Sequence, residues 1–489
     1  MPPRDGRPDV LVVVLDCVRA DRFREQVERG SLPFLASIAP EFRRFDRAVA
    51  PASWTIPSHA SLFTGLYPWD HGAHYKAGAI LGEGPPTIAE LLAARGYRTA
   101  SFSANGYVQP GTGLTRGFGS AVWGGDREFF LRFLARTPSC PSLNGADAAV
   151  HARLDQRSSA SAVRVGTMRA LSRFTPVCDA LNRVGGRITE VPSAYVGSWI
   201  DPSIDAALAE AAETPCFFFV NLLEAHEPYF ADGGRPIGLR DWLAYARSTQ
   251  VSELWKTGDR SPSARDIAWT ERDYLATLRV LDDRLRSIAA RLKARDRWDE
   301  TLVVITSDHG QTFGEGGQMY HRLNLLESIT RVPLWVKPPR SAGAPSAPDR
   351  ATWVSLIDVP RTIAEVAAPG SSFGDPGSRS LLARDVDPGR TVYSMTDGLP
   401  AREAQSLSEE RRRRLDRVQI AGYRGEFKTL LDQSGLLYRM RLEPGGAHLI
   451  APGEPADGPD LADVLPRLRS VLNLPEPKSV ADRIAGWGY

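Results

Sequence analysis

Cysteine is scarce in this chain of 489 residues, and long apolar runs are missing. Its four cysteines, at positions 17, 140, 178 and 216, are too few for a disulfide framework, and no CxxC pair or zinc-type spacing occurs. The apolar run near the N-terminus, residues 10–15, is far too short for a signal segment or a membrane span. These absences predict a cytoplasmic protein with reduced thiols and no membrane span.

Net charge is also nearly absent, because 60 Lys and Arg residues are balanced by 58 Asp and Glu residues. This balance argues against a nucleic-acid binder held by bulk charge. Only six of the basic residues are lysines, and the arginine excess with abundant Ala, Gly and Pro is typical of a GC-rich bacterial genome. The length and the 42% hydrophobic content predict one large α/β domain with an appendage.

Several short apolar runs lead to a polar residue. They are Asp9–Leu15, Arg98–Ser103, Cys216–Leu222 and Thr301–Thr306. Continuous runs of this length are typical of strands buried on both faces, and helical patterns at 86–95 and 271–295 lie between them. Strands that alternate with helices predict a mostly parallel sheet, which binds its ligand at the carboxyl ends of the strands. That edge would carry Asp16, Asn105, His226 and Asp308.

Two parts of the chain depart from this alternation. Residues 124–200 are rich in Ser, Arg and Ala, and we expect them to be an insertion, and a candidate lid, within a catalytic domain spanning 1–375. Residues 376–489 are expected to form a small C-terminal α+β subdomain. It would contain antiparallel strands within 418–431 and 436–442 and a helix at 461–472.

Residues 54–65, WTIPSHASLFTG, predict a helix with Thr55 near its N-cap, Pro57 in its first turn and Gly65 at its C-cap. Taken alone, Thr55 would be an ordinary capping residue. The alternative is a nucleophilic hydroxyl at the positive end of a helix, where an alkoxide and a bound anion are both stabilised.

Asp308 and His309 follow a buried strand and offer a carboxylate oxygen and an imidazole nitrogen to one cation. With Asp16 the set becomes two carboxylates and one imidazole, to which the Thr55 hydroxyl would add. Oxygen-rich ligation with one nitrogen suits Mn²⁺, Mg²⁺, Ca²⁺ or Zn²⁺ without choosing among them. Each aspartate alone could cap a loop, but together they favour a site for one divalent metal ion.

Taken together, these motifs resemble the sulfatase branch of the alkaline phosphatase superfamily. The segments are VVVLDCVRAD, PASWTIPSHASLFTGLYPWDHG, TIAELLAARGYRTASFSAN, FVNLLEAHEPY and TLVVITSDHGQTFGEGG. The similarity covers most of 8–119 and 200–337 and is weaker in 415–450. It implies the superfamily's α/β sandwich, with a large, mostly parallel central sheet flanked by helices and a small C-terminal α+β subdomain.

Carried over residue by residue, the resemblance makes Asp16, Asp308 and His309 metal ligands, and Thr55 both a ligand and the nucleophile. Sulfatases carry Cys or Ser at the Thr55 position, which is oxidised to formylglycine. The same oxidation of Thr would give a ketone, which lacks the aldehyde hydrate whose second hydroxyl expels sulfate. An alkoxide at Thr55 instead needs in-line attack by water or another acceptor, which phosphoryl enzymes accept readily.

The resemblance also assigns two substrate contacts and reveals further departures. His226 matches a histidine that contacts the substrate or leaving group, and His321 lies near the family's second basic contact. His59 stands where sulfatases place Arg, and Ala104 aligns with their sulfate-binding Lys. Cys17 aligns with their second acidic metal ligand, which leaves the identity of the metal open.

The chain also resembles phosphonate monoester hydrolases and nucleotide pyrophosphatase/phosphodiesterases; the T-x-P-N-H segment of the latter is similar to Thr55-Ile-Pro-Ser-His59. Those phosphodiesterases bind two zincs, but we identify no clear Asp/His/His set for a second metal. Lys76 replaces one of their asparagines, and is either a substrate-binding cation or a solvated surface lysine. His59 is expected to bind substrate or to support Thr55 by a hydrogen bond. His71 and His74 are expected to be structural.

These residues predict a metal-dependent hydrolase or transferase that acts on a phosphoester or phosphonate through a covalent phospho-Thr55. Lys76, Asn105 and His321 would stabilise the developing charge, and His226 would protonate the leaving group. One alternative is a sulfatase-like enzyme that hydrolyses or transfers a sulfate or sulfamate group. Another is a non-catalytic binding module that retains the pocket. The expected partner is a small anionic ester, and the oligomeric state is not predicted.

Overall fold

In the computed structural model of the chain, the structure describes residues 6–123, 200–229 and 261–467, apart from short gaps. The gaps are at 212, 228, 322–323, 345–348, 384–386, 388, 400–404, 406–407, 411, 413–415, 444–445, 451–457, 460 and 462–463. The predicted insertion, except for its last residue, and most of the predicted helix at 461–472 lie outside the described residues.

The strands and helices of the described residues have the following bounds. The strands are β1 (Asp9–Leu15), β2 (Arg43–Phe45), β3 (Ala48–Val49), β4 (Arg98–Ser103), β5 (Ser120–Trp123), β6 (Cys216–Leu222), β7 (Thr301–Thr306), β8 (Thr312–Phe313), β9 (Met319–Tyr320), β10 (Leu334–Lys337), β11 (Val354–Ser355), β12 (Val392–Asp397), β13 (Val418–Arg424), β14 (Phe427–Asp432), β15 (Leu437–Glu443) and β16 (Gly446–Leu449). The α-helices are α1 (Ala20–Glu28), α2 (Pro33–Ile38), α3 (Thr55–Thr64), α4 (Pro68–His71), α5 (Ile88–Ala94), α6 (Ile200–Glu210), α7 (Ala264–Lys293), α8 (Glu327–Thr330) and α9 (Asp358–Ala367).

The central sheet has seven strands in the order β2-β10-β7-β1-β6-β4-β5. The five strands from β7 to β5 run parallel, and β10 and β2 complete one edge in antiparallel pairing. The prediction of a mostly parallel sheet is confirmed. The four predicted strands are β1, β4, β6 and β7, with the bounds that their apolar runs indicate.

Both faces of the central sheet are covered by helices, which explains why its strands are apolar throughout. In β1, Leu11 and Val13 pack with α1, α2, α6 and α7. Val10 and Val12 point to the opposite face, where they pack with α3, α5 and α9. Since successive side chains of a strand alternate between faces, a strand between two helical layers needs apolar residues at every position.

Helix ends follow local signals. Ser263 begins α7 with a capping box, because its Oγ accepts from the backbone N of Asp266 while that carboxylate accepts from the backbone N of Ser263. The helix therefore starts before the predicted residue 271. In α3, Thr55 is the first helical residue and Trp54 precedes it without a side-chain cap. Gly65 ends α3 at φ +70°, where an added Cβ would lie 2.8 Å from Gly374 Cα.

The C-terminal part contains a five-stranded antiparallel sheet in the order β12-β13-β14-β15-β16. The predicted strand segment 418–431 forms two strands, because the chain turns at Gly425 with φ +54°. The sheet is attached close to α3, since Met395 N in β12 donates to Pro51 O at 2.9 Å. The proposed boundary between residues 375 and 376 remains a prediction.

Across the described part of the chain, no helix combines the length and the apolarity needed to cross a membrane. Cytoplasmic location remains a prediction. Cys17 and Cys216 are both buried and free.

We expect thiol titration of the unfolded protein to count four free cysteines, because a reducing compartment leaves thiols unpaired. A sample treated with reductant and desalted under acid is the control and must count four. A count of two in the untreated sample would contradict the prediction. It would indicate a disulfide, with Cys140 and Cys178 as the candidate pair; both lie outside the described residues.

Candidate metal and catalytic site

Side chains that follow β1 and β4 meet at the carboxyl edge of the central sheet. Asn105 Nδ2 donates to Asp16 Oδ2 at 2.8 Å and lies 3.4 Å from Thr55 Oγ1. All three residues are buried. One amide group therefore holds the carboxylate after β1 and the hydroxyl at the start of α3 in a fixed arrangement.

Asp308 and His309 follow β7 and lie at the same edge. Asp308 Oδ1 accepts from the backbone N of Cys17 at 3.3 Å and of His309 at 3.0 Å. Asp308 Oδ2 and His309 Nε2 lie 3.3 Å apart, are fully buried, and have no hydrogen-bond partner among the described residues. A buried carboxylate oxygen and imidazole nitrogen left unpaired are costly unless a cation binds them. This donor pair, with Asp16 nearby, fits a divalent metal ion.

The electrostatics of the site also favour a cation. Burial and the negative charge of Asp16 raise the pKa of Asp308 well above its usual range. Burial lowers the pKa of His59, 3.5 Å from Asp308 Oδ2, to about 4, so this imidazole is neutral at neutral pH. Among the described residues, no Lys or Arg forms an ion pair with either aspartate. Two buried carboxylates thus face each other without a protein cation, and a dication would balance them.

Thr55 occupies the positive end of α3. It is buried and is the first residue of the helix, where the helix dipole gives a positive potential. Ser58 in the same turn donates from Oγ to the carbonyl of Asp308 at 2.6 Å. The start of the helix is therefore fastened to the loop that carries the metal ligands.

His59 supports Thr55 from behind. Its Nδ1 donates to the Thr55 carbonyl at 2.9 Å, and its Nε2 lies 3.2 Å from Asn221 Nδ2, which also lies 3.3 Å from Asp16 Oδ2. His59 is fully buried, so this geometry favours the supporting role over substrate contact. Sequence reasoning missed Asn221, although one polar residue inside the apolar run CFFFVNL was a usable signal.

A second group of side chains lies beside these ligands. His321 Nδ1 is 2.8 Å from Gln311 Oε1, and Gln311 Nε2 donates to Glu227 Oε2 at 3.0 Å. The rings of His226 and His321 are 5.1 Å apart. The two predicted substrate-contacting histidines are thus brought together. Gln311 and Glu227 were missed by sequence reasoning, although each directly follows a recognised motif residue.

Lys76 lies on the short turn Tyr75–Ala77, and its Nζ donates to Asp416 Oδ1 at 2.9 Å. The Tyr75 ring stacks on Trp54, the residue before Thr55, with centroids 3.9 Å apart. Asp397 at the end of β12 accepts from Trp54 Nε1 at 3.1 Å through Oδ1 and from the backbone N of Tyr75 through Oδ2, which joins β12 to this turn. The residue next to Lys76 therefore contacts the start of α3, but Lys76 itself is ion-paired with Asp416. Contact between Lys76 and substrate remains a prediction.

The sulfatase family model matches residues 8–369. The chain belongs to the sulfatase family. Sulfatases and their structural neighbours in the alkaline phosphatase superfamily are hydrolases that generally depend on a divalent metal. This assignment supports an enzyme rather than a non-catalytic binding module.

Individual relatives are distant. The chain is 21% identical over 386 residues to a choline-sulfatase of Rhizobium meliloti, a match that covers 74% of this chain and 68% of that protein. It is 22% identical over 357 residues to human iduronate 2-sulfatase, covering 70% of this chain and 62% of that protein. The matched region thus spans about two thirds of the length of these curated relatives.

The fold is shared with solved structures of both phosphorus and sulfur ester hydrolases. Phosphonate monoester hydrolases of Silicibacter pomeroyi and Agrobacterium radiobacter give TM-scores of 0.59 and 0.60 at 17% identity, each covering 98% of this chain and 95% of the other. The structure of BT1596, a 2-O GAG sulfatase, gives a TM-score of 0.57 at 15% identity. The match covers 96% of this chain and 91% of the BT1596 chain. The predicted sulfatase-like fold class is confirmed.

Proposed function

We propose that the chain is a divalent-metal-dependent hydrolase or transferase of phosphoesters or phosphonates, with the Thr55 hydroxyl as nucleophile. The observation that carries this proposal is the position of Thr55 Oγ1 at the head of α3, 3.4 Å from the Asn105 amide that also holds Asp16. A threonine hydroxyl cannot supply the aldehyde hydrate that sulfatase chemistry uses. It can attack a phosphoryl group directly, and a water can then release the product.

Four side chains would hold the cation: Asp16, Thr55, Asp308 and His309. When bound, the cation supplies positive charge that lowers the pKa of the Thr55 hydroxyl and polarises a phosphoryl oxygen. Side chains and backbone groups of the protein would supply the other catalytic contributions. The Asn105 amide orients the hydroxyl, the positive end of the α3 dipole stabilises negative charge, and His59 fixes the Thr55 backbone.

The reaction would proceed in two displacements. Thr55 Oγ1 would release its proton to solvent water and attack phosphorus in line, while the bond from phosphorus to the leaving oxygen breaks. Water or an acceptor alcohol then attacks phospho-Thr55, which releases phosphate or the transferred product and regenerates the hydroxyl. In a site with one cation, His226 would protonate the leaving oxygen. Its Nδ1 donates to the Glu227 carbonyl at 2.6 Å, so Nε2 would be the atom that carries the exchanged proton.

Transfer or hydrolysis of a sulfate ester is the second candidate, because the curated relatives are named as sulfatases. Two residues of this chain weigh against it. Thr55 cannot form the formylglycine hydrate, and Ala104 aligns with the lysine that binds sulfate in the family.

A panel of p-nitrophenyl esters tests the two candidates with one leaving group. We expect the metal-loaded protein to turn over phosphate monoester, phosphate diester or phenylphosphonate at least about tenfold faster than the sulfate ester, a difference of about 1.4 kcal/mol in activation free energy. Release of p-nitrophenol measures all four. Thr55→Ala is the control for contaminating activity. A preference for the sulfate ester would contradict the proposal.

A further inference from the structure

Four side chains outside the set Asp16, Thr55, Asp308 and His309 meet in one place. They are Cys17, His226, Glu227 and His321, and one ligating atom from each lies within 4.8 Å of the others. They come from three separate segments: the residues after β1, after β6 and after β9. We refer to them as the Cys17 cluster.

The side chains of the Cys17 cluster lie close to one another. Cys17 Sγ lies 3.7 Å from His321 Nδ1. Glu227 Oε2 lies 3.5 Å from His226 Nδ1 and 4.0 Å from His321 Nδ1. Ligands in tetrahedral zinc sites are separated by about 3.3–3.8 Å, given metal–ligand bonds of about 2.0–2.3 Å, so the cluster would contract around a bound cation. Nδ1 of His226 and of His321 each contact an oxygen, so Nε2 is the atom that each imidazole would offer to a cation.

Surrounding contacts orient the cluster as they commonly do for metal-binding side chains. The single amide of Gln311 contacts both His321 and Glu227, at 2.8 and 3.0 Å. Gln311 is itself fully buried, so it fixes an imidazole and a carboxylate toward each other. Such outer hydrogen bonds are the usual support of metal-binding histidines and carboxylates.

Cys17 lies between this cluster and the site already described. Its Sγ is 3.3 Å from Asp16 Oδ1, and one ligating atom from each of Asp16, Cys17 and His309 lies within 4.8 Å of the others. The backbone of Cys17 has φ +63°, a left-handed conformation that is strained for a non-glycine residue. This conformation lets its backbone N donate to Asp308 while its Sγ faces Asp16 and His321.

We propose that the Cys17 cluster binds a second divalent cation, of the zinc type, beside the first. A thiolate, two imidazoles and a carboxylate favour Zn²⁺ over Ca²⁺ or Mg²⁺, which prefer oxygen ligands. The charges also balance, because Asp16 and Asp308 match one dication, and Cys17 and Glu227 match another. Any role of this second cation in catalysis rests on the proposed function. Its binding, measured as the number of cations per chain, does not.

The second cation would change the roles of two residues. A histidine that gives its lone pair to a cation cannot also protonate a leaving group, so His226 would be a ligand instead of the proton donor. Paired cations can hold the attacking and leaving oxygens of an in-line displacement. Lys76 would not be needed in place of a second metal, which agrees with its ion pair to Asp416.

Metal counting on the full-length chain tests the proposal. The protein is stripped with a chelator and reloaded with Zn²⁺ or with Co²⁺, and bound metal per chain is measured by mass spectrometry. We expect two cations per chain and a sulfur-to-Co²⁺ charge-transfer absorption. Glu227→Gln should lower the count from two to one, and Cys17→Ser should abolish the absorption. His321→Asn gives a second loss of one cation if Glu227→Gln fails to fold.

Two matched variants serve as controls. Glu224→Gln changes a buried glutamate that contacts Arg284, and Cys216→Ser changes a buried free thiol elsewhere. Both should keep the wild-type count and absorption. One cation per chain in the wild type would overturn the proposal, as would a count unchanged by both Glu227→Gln and His321→Asn. A sulfate preference in the ester panel would instead contradict the proposed function and leave this count intact.

Discussion

Thr55→Ala should lower turnover of the preferred phosphorus ester by about 10⁴-fold or more, because removing a nucleophile that acts together with its metal has effects of this size. The fold should persist, since α3 needs no side-chain cap from this position. Thr55→Ser should retain part of the activity, because the hydroxyl remains. Steady-state kinetics with the metal-loaded variants measure the effect.

Thr64→Ala is the matched control for this series. Thr64 lies at the other end of α3 and is also buried; its Oγ1 donates to the Ala60 carbonyl at 2.7 Å and accepts from the backbone N of Leu66 at 3.3 Å. The same atoms are removed from the same helix, but activity should be close to that of the wild type. If Thr55→Ala also kept near-normal activity, Thr55 would be an ordinary first helical residue. Water would then have to attack directly, and the covalent mechanism would be wrong.

The central sheet could be predicted because its strands are buried on both faces. A strand such as β1 between two helical layers needs apolar residues throughout, which yields runs with clear ends. Parallel strands place their carboxyl ends at one edge. That rule alone predicts that Asp16, Asn105 and Asp308 lie close together.

The Cys17 cluster could not be predicted in the same way. Its members come from three loops, and no spacing in the sequence connects Cys17 with Glu227 or His321. The position of His321 depends on β8 and β9, two-residue strands too short to show a period. Gln311, which contacts two members of the cluster, is an ordinary polar residue after the Asp-His-Gly motif.

Asp308→Asn should bind one cation fewer per chain than the wild type and lose the corresponding part of the stabilisation by metal. A ligand that binds only the folded state at 100 times its Kd raises the free energy of unfolding by about 2.7 kcal/mol. The amide oxygen introduced by this substitution could still accept from the backbone N of Cys17 and His309, so the loop should keep its shape. Mass spectrometry counts the metal, and thermal unfolding with and without added cation measures the stabilisation.

Without metal, we expect Asp308→Asn to be at least as stable as the wild type. Because the pKa of Asp308 is raised in the folded state, its ionised form costs stability at neutral pH, and the neutral amide removes this cost. Asp308→Asn in chelator should therefore unfold at a temperature equal to or above that of the wild type. Asp282→Asn is the matched control, since that buried carboxylate accepts from the backbone N of Phe34 and Leu35 at the start of α2. It should leave the metal-dependent shift unchanged. Equal metal content in Asp308→Asn and the wild type would remove Asp308 from the ligand set.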